Sequence, residues 1–331
     1  MTNAATAKRP AAGAVILGFT CLYTAWGTTY LAIREGVKTL PPALFGGTRL
    51  ALAGLVLLGW LAARGQRFSM PRREFLGTAL VGVCLFVFGN GLITAAEKTV
   101  PSIVAAVLVA STPIWLAVLE MLWPWGERLT VRGWCGLVLG LAGVLVLLYP
   151  ELRRIDLSLD AGPLLVLGSA FAWAVGSFVI RHRKRETSSH LLSAGYQMFI
   201  GGLTLSLIGL AIGEGQQLTA DVFTPTAVFA FFYLLVVGSL IGFVAYTWLL
   251  GHVSGALVGT YAYVNPIVAI LVGWQLGKEE LSPWILGGMA VILAGVALVR
   301  IGGVRPPRAA RITQARSKAR EQPSLICEVG N

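Results

Sequence analysis

AWGTTYLAIR, from Ala25 to Arg34, returns in altered form as AWAVGSFVIR, from Ala172 to Arg181. Both copies open on Ala-Trp and close on Ile-Arg, 147 positions apart. Further echoes follow in the same order. STPIWLAVLE (Ser111 to Glu120) matches VNPIVAILVG (Val264 to Gly273), which sets Pro113 opposite Pro266 at an offset of 153. ERLT (Glu127 to Thr130) matches EELS (Glu279 to Ser282), and LAGVLV (Leu141 to Val146) matches LAGVAL (Leu293 to Leu298), both at 152. Ordered anchors at a nearly constant offset make residues 13–149 and 161–301 two copies of one unit.

The copies are built for lipid. Of 331 residues, 56% are hydrophobic and 12% charged, with a mean hydropathy of +0.75, against about a quarter charged in soluble domains. A bilayer core takes about 20 apolar residues of helix to cross. Ten such runs are present: 13–33, 41–62, 75–96, 100–122, 132–149, 161–180, 190–212, 226–250, 255–276 and 283–301. Their length and lack of strict alternation exclude β-barrel strands. The predicted fold is an all-α integral membrane protein with ten transmembrane helices, five in each copy. The run behind Lys8 and Arg9 is too long for the apolar region of a cleaved signal and is read as a retained first helix. Cys21, Cys84, Cys135 and Cys327 show no metal spacing and predict no disulfide framework.

Five is odd, so the second copy must start from the opposite side of the membrane, giving two inverted five-helix repeats. Placing the N-terminus in the cytoplasm puts 19 Lys and Arg on the cytoplasmic side and six on the other, with Arg49 inside a span. That bias predicts both termini inside. The net charge of +11 thereby becomes a topology signal, with anionic lipid headgroups as the partner of the basic loops and no nucleic acid. Residues 1–12 are expected to be a cytoplasmic segment and 302–331 a basic, disordered cytoplasmic tail.

WGTTY in the first span, PPALFGGTRLALAG in the second, GNGLITAAE closing the third, a proline in the fourth and ninth, and GLVLGLAGVLV in the fifth resemble the drug/metabolite transporter (DMT) superfamily. Within it they resemble the EamA family of bacterial inner-membrane exporters, over residues 13–301. The resemblance implies efflux of small metabolites, amino acids or drug-like compounds through a central cavity lined mainly by helices 1, 3, 4, 6, 8 and 9. It also implies residence in the bacterial inner membrane.

Polar groups inside a span are costly, about 2.5 to 3.5 kcal/mol for a charge at the centre, so each asks for a reason. Arg49 lies about 12 Å below the outer boundary, counted from Pro41. It is either a fixed positive charge for a carboxylate or phosphate or a structural arginine satisfied by backbone carbonyls. Its repeat mate is approximately Gln197. Glu120, near the inner end of the fourth span, and Glu97, at the outer mouth, are the carboxylates available for proton coupling. Asn90 and Thr94 share a helix face, as do Tyr261 and Asn265. Pro113 and Pro266 are expected to break the fourth and ninth helices and to free the carbonyls of Val109 and Ala262, tolerated only beside protein or a wet cavity. Trp26, Tyr30, Trp115, Trp173, Tyr246 and Tyr263 place rings inside spans, either as cavity wall or as packing. Trp60, Trp123, Trp125 and Trp284 read as interface anchors. Thr130 and Ser282 read as helix N-caps.

A polytopic membrane enzyme would need clustered Asp, Glu or His at a membrane face, and a channel a charged ring or filter. His182, His190 and His252 stand apart, and no P-loop or HExxH is present. The reading is therefore a secondary transporter for a small-molecule substrate, without cofactor, working by alternating access between the repeats. Gly136 and Gly140 form a GxxxG face that serves packing inside a monomer or a homodimer seam.

Overall fold

The computed structural model describes residues 10–96, 100, 102–153, 162–183, 189–275 and 282–305. The chain forms α1 (Ala12–Val37), α2 (Pro42–Ala63), α3 (Arg72–Ala96), α4 in two pieces (Ser102–Val109 and Thr112–Leu122) and α5 (Val131–Leu152). The second repeat supplies α6 (Gly162–His182), α7 (His190–Ala211), α8 (Pro225–Leu250), α9 in two pieces (Gly255–Gly259 and Tyr261–Gln275) and α10 (Pro283–Gly302). Nine of these described stretches are long and apolar enough to cross a membrane, and Val107–Leu122 in α4 is a tenth, shorter apolar piece. The bundle is two inverted five-helix repeats. Below, the face where α1 begins is the N face and the opposite one the far face.

Helix starts follow local chemistry. The hydroxyls of Ser189, Thr224, Ser254 and Ser282 accept from backbone N–H groups three residues on, and Thr130 Oγ1 accepts from Gly133 N at 3.2 Å. Each cap satisfies a donor that has no partner inside its helix. Leu129 and Arg128 (β1) pair with Val304 and Arg305 (β2) at the N face, holding the start of α5 to the end of α10.

Mate helices pack directly on each other. Between α2 and α7, a Cβ on Gly54 would sit 2.4 Å from the Phe199 nitrogen, and one on Gly202 2.3 Å from the Ala51 nitrogen. Between α5 and α10, a Cβ on Gly136 would sit 2.6 Å from the Val299 nitrogen, and one on Gly295 2.5 Å from the Gly140 nitrogen. The GxxxG face therefore seals α5 against α10 inside the bundle. Backbone contact of this closeness is how helices associate where lipid removes the hydrophobic drive between them.

Irregular backbone also falls in mate helices. α3 widens into a π-helix over Cys84–Gly91, and α8 does so over Leu234–Phe243. The break in α4 falls at Ala110 and Ser111, just before Pro113, which thus occupies the first turn of the second piece, where a missing N–H removes no helical bond. In α9 the break falls at Thr260, and Pro266 lies inside the following helix. The Val109 carbonyl is not free as expected: Thr112 Oγ1 donates to it at 2.6 Å. A hydroxyl next to the proline supplies the donor that the broken ladder lacks. At Thr260 the hydroxyl likewise donates to Leu257 O at 2.6 Å.

Gly54 and Gly59 share a helix, but nothing lies within 4 Å of a Cβ added at Gly59. Gly54→Leu is expected to lower stability by about 1–3 kcal/mol through overpacking, and Gly59→Leu to change it by less than about 0.5 kcal/mol. Melting curves of the two purified variants in the same detergent check this.

Candidate functional site

A cavity of about 160 Å³ lies between the repeats, lined by the irregular segments together with α1, α2 and α6, similar in volume to an engineered cavity of about 150 Å³ that holds benzene. α1 contributes Trp26, Thr29 and Ile33, and α2 contributes Arg49 and Leu50. From α3 come Phe86, Gly89, Asn90, Ile93 and Thr94, and from α4 Val109 and Thr112. The second repeat adds Ser169, Ala170 and Trp173 on α6, Leu234, Gly238, Ser239 and Phe243 on α8, and Tyr261 and Asn265 on α9. Ile33 and Thr94 lie within about a turn of the far ends of α1 and α3, so the cavity occupies the far half of the bundle.

Its floor is aromatic. Trp26 and Trp173, the matching residues of the two echoed stretches, meet edge to face at 5.5 Å. Tyr261 stands edge-on to Trp26 at 4.7 Å, and Tyr246 lies beneath at 5.0 Å. Hydrogen bonds fix the rings: Trp26 Nε1 donates to Gly238 O at 3.0 Å, Trp173 Nε1 donates to the Tyr246 hydroxyl at 3.0 Å, and Ser177 holds that hydroxyl from the other side. Phe86 and Phe243, one from each π-segment, close the layer at 4.9 Å.

Arg49 is the charged group in this wall, 6% exposed. One terminal nitrogen (Nη1) donates to Ser239 Oγ at 3.2 Å and, weakly, to Leu234 O at 3.4 Å, both in the π-segment of α8. Its Nε has no protein partner, and neither has Asn265 Oδ1. Unsatisfied buried polar atoms of this kind are destabilising by about 1–3 kcal/mol each, and both belong to residues of the cavity wall. Thr94 Oγ1 donates to Asn90 O at 2.7 Å, and Ser169 Oγ donates to Gly89 O at 2.7 Å, so hydroxyls satisfy the loosened carbonyls of α3.

A profile of the EamA-like transporter family matches residues 13–149 and 160–301. The chain belongs to this family. Among EamA relatives, the uncharacterized inner membrane transporter YedA of Escherichia coli K12 is 36% identical over 85% of this chain and 89% of its own. A probable amino-acid metabolite efflux pump of Salmonella typhimurium LT2 is 26% identical over 87% of this chain and 95% of its own. A crystal structure at 21% identity superposes with a TM-score of 0.74 over 88% of this chain and 98% of that one, which shows a shared fold. The family is one of transporters.

In this EamA-family chain, the residues singled out from sequence divide by position. Trp26, Arg49, Asn90, Thr94, Trp173, Tyr261 and Asn265 come together in the wall. Tyr246 supports the floor from behind. Trp115 is 36% exposed and packs on Phe171 at 5.4 Å, outside the cavity. Gln197 lines a separate small pocket near the N face with Glu74, Thr78 and Arg183. Tyr263 is buried against α5, donating to Leu137 O at 3.1 Å. Glu97 and the Tyr30 side chain lie outside what is described. Glu120 sits at the N face, where its carboxylate accepts from Arg181 Nε at 2.9 Å and meets His182 Nε2 at 2.8 Å. Glu127 pairs with Arg181 at 2.8 Å, and burial pushes its carboxyl up against the pull of that guanidinium.

The wall residues that the sequence reading missed include six on the π-segments, Phe86, Gly89, Leu234, Gly238, Ser239 and Phe243, and others on regular helix such as Thr29, Thr112 and Ser169. For Gly89, Gly238, Ser239, Thr112 and Ser169 the sequence signal is a small polar residue or glycine inside an apolar run; Phe86 and Phe243 carry none. Ser239→Ala is expected to leave Arg49 short of its closer acceptor and lower stability by about 1–2 kcal/mol, while Ser239→Thr retains most of it. The melting temperatures of the purified variants test this.

Proposed function

We propose that this chain is a secondary transporter that exports small metabolites, such as amino acids or amphipathic carboxylates, by alternating exposure of the cavity to the two faces. The observation that carries the reading is Arg49. It is a buried guanidinium in the wall of a cavity between inverted repeats, and no acidic residue is among the described lining residues. A charge left uncompensated in such a site favours an anionic ligand group, and the aromatic floor suits an apolar or ring-bearing remainder. Asn265 Oδ1, also unpartnered, offers an acceptor for an N–H on the same solute.

One relative is named an uncharacterized inner membrane transporter, and another's name, a probable amino-acid metabolite efflux pump, supports export. The N face is then cytoplasmic in the inner membrane, with both termini on that side. Arg64, which lies over the Trp60 ring at 5.0 Å, and the basic β1–β2 corner meet anionic headgroups there. The unit of transport is the monomer, since each repeat pair encloses a whole cavity.

Purified protein in liposomes loaded with mixed amino acids and small carboxylates tests this, with the departing solutes followed by mass spectrometry. Selective, saturable efflux is expected. Arg49→Gln should raise the half-saturating concentration for carboxylates about tenfold or more, and Asn265→Ala about fivefold, both at unchanged membrane abundance. Trp115→Ala should leave both parameters within about twofold. Equal efflux of every solute, or of none, overturns the proposal.

A further inference from the structure

At the N face, beyond the aromatic floor, four side chains form a closed charge cluster that joins the two repeats. Glu120 on α4 is 3% exposed, yet its carboxylate is fully engaged. Arg181 Nε donates to Oε1 at 2.9 Å, while Oε2 meets His182 Nε2 at 2.8 Å and accepts from the Glu127 backbone N–H at 3.0 Å. Arg181 in turn reaches Glu127 at 2.8 Å and donates to the carbonyls of Leu250, at 3.1 Å, and Val253 in the turn between α8 and α9. Trp123 and Phe178 pack at 5.7 Å and flank His182. Parting α4 from α6 at this face breaks the Glu120 bonds to Arg181 and His182.

The inverted repeat makes a comparison possible that needs no second structure. The mate of Arg181 is Arg34, at the far end of α1, so the echoed stretch writes an arginine at both faces. The mate of Glu120 is Gly273, near the far end of α9. The mate of His182 is Glu35, which pairs with Lys38 at 2.6 Å. Glu279, the mate of Glu127, lies outside the described residues. The far face thus carries the arginine but has glycine where the buried carboxylate stands. That asymmetry accompanies a cavity placed in the far half of the bundle.

We infer that Glu120 is a one-sided lock: by tying α4 to α6 and to the α8–α9 turn, it sets the far-open conformation as the resting state. Removing the Glu120 carboxylate takes from Arg181 and His182 their bonds to α4 and leaves Arg181 with Glu127 and two carbonyls, which weakens the closed arrangement. The far-closed arrangement gains no such bond from position 273, which is glycine. A conformational bias of this kind is a coupling between the two faces, and it acts in both directions.

The inference rests on the alternating-access reading, and hydrogen exchange in full-length protein reconstituted in liposomes separates the two. In Glu120→Gln, exchange at the N-face ends of α4 and α6 should rise about tenfold. Exchange at the far ends of α1 and α9 should fall in step. Gly273→Glu, which installs the missing carboxylate opposite Arg34, should produce the same pair of changes, and adding Arg34→Gln should cancel it. A rise in Glu120→Gln confined to the N face, with the far face unchanged, makes the cluster a local structural contact and overturns the lock. Reciprocal exchange without selective efflux overturns the substrate reading alone, and selective efflux without reciprocity overturns the lock alone. If Glu120→Gln does not fold, Gly273→Glu still decides, because it removes nothing from the native cluster: no reciprocal change there overturns the lock.

Discussion

In hydrocarbon, a backbone carbonyl or N–H without a partner has no water to turn to, and that constraint governs where these helices may depart from regularity. α3 and α8 widen into π-helices, and α4 and α9 break. All four departures are gathered around one cavity. Each is satisfied locally: Ser169 serves Gly89 O, Thr112 serves Val109 O, Thr260 serves Leu257 O, and Arg49 and Ser239 serve Leu234 O. The regular helices carry the opposite burden. α2 with α7 and α5 with α10 meet through glycine, backbone on backbone, and so hold the two repeats in a register that keeps the irregular segments facing each other.

The distribution of roles follows the pseudo-twofold axis. The mates that pack backbone on backbone, α2 with α7 and α5 with α10, are regular, while the irregular α3, α4, α8 and α9 surround the solute space together with α1, α6 and one face of α2. Trp26 and Trp173 mark the middle of that arrangement, edge to face at 5.5 Å. The arginines that close their two echoed stretches point the symmetry outward, one toward each face. The backbone is therefore close to symmetric while the ionisable groups are not: Arg49 faces its solute space where Gln197 lines a small pocket, and Glu120 has glycine as its mate.

Hydropathy and the four echoes made the ten spans, the repeat and its inversion legible, because each depends only on composition and order along the chain. The prolines pointed to the right two helices, though in α9 the backbone gives way at Thr260 rather than at Pro266. What stayed hidden was rotation. Trp115 and Trp173 are both tryptophans inside apolar spans, and nothing in a run that is apolar all round says which ring turns inward. The π-segments were hidden for a related reason. A wide turn changes helical phase without changing composition, so Phe86, Gly89 and Ser239 entered the wall with no periodic signal to announce them.

Arg49 shows how a costly residue can be kept in such a wall. Two acceptors in the α8 π-segment satisfy part of its guanidinium, and they exist there because the wider turn brings the Leu234 carbonyl and the Ser239 hydroxyl to the same spot. The Leu234 carbonyl has a second lone pair beyond its helical bond, and the wider turn is what sets it beside the Ser239 hydroxyl within reach of Arg49. The buried charge thus leans on irregular backbone: Ser239 serves the Leu234 carbonyl, and the same two groups accept from Arg49. The unpartnered Nε is the part of the group this exchange leaves over, and it belongs to the wall of the cavity.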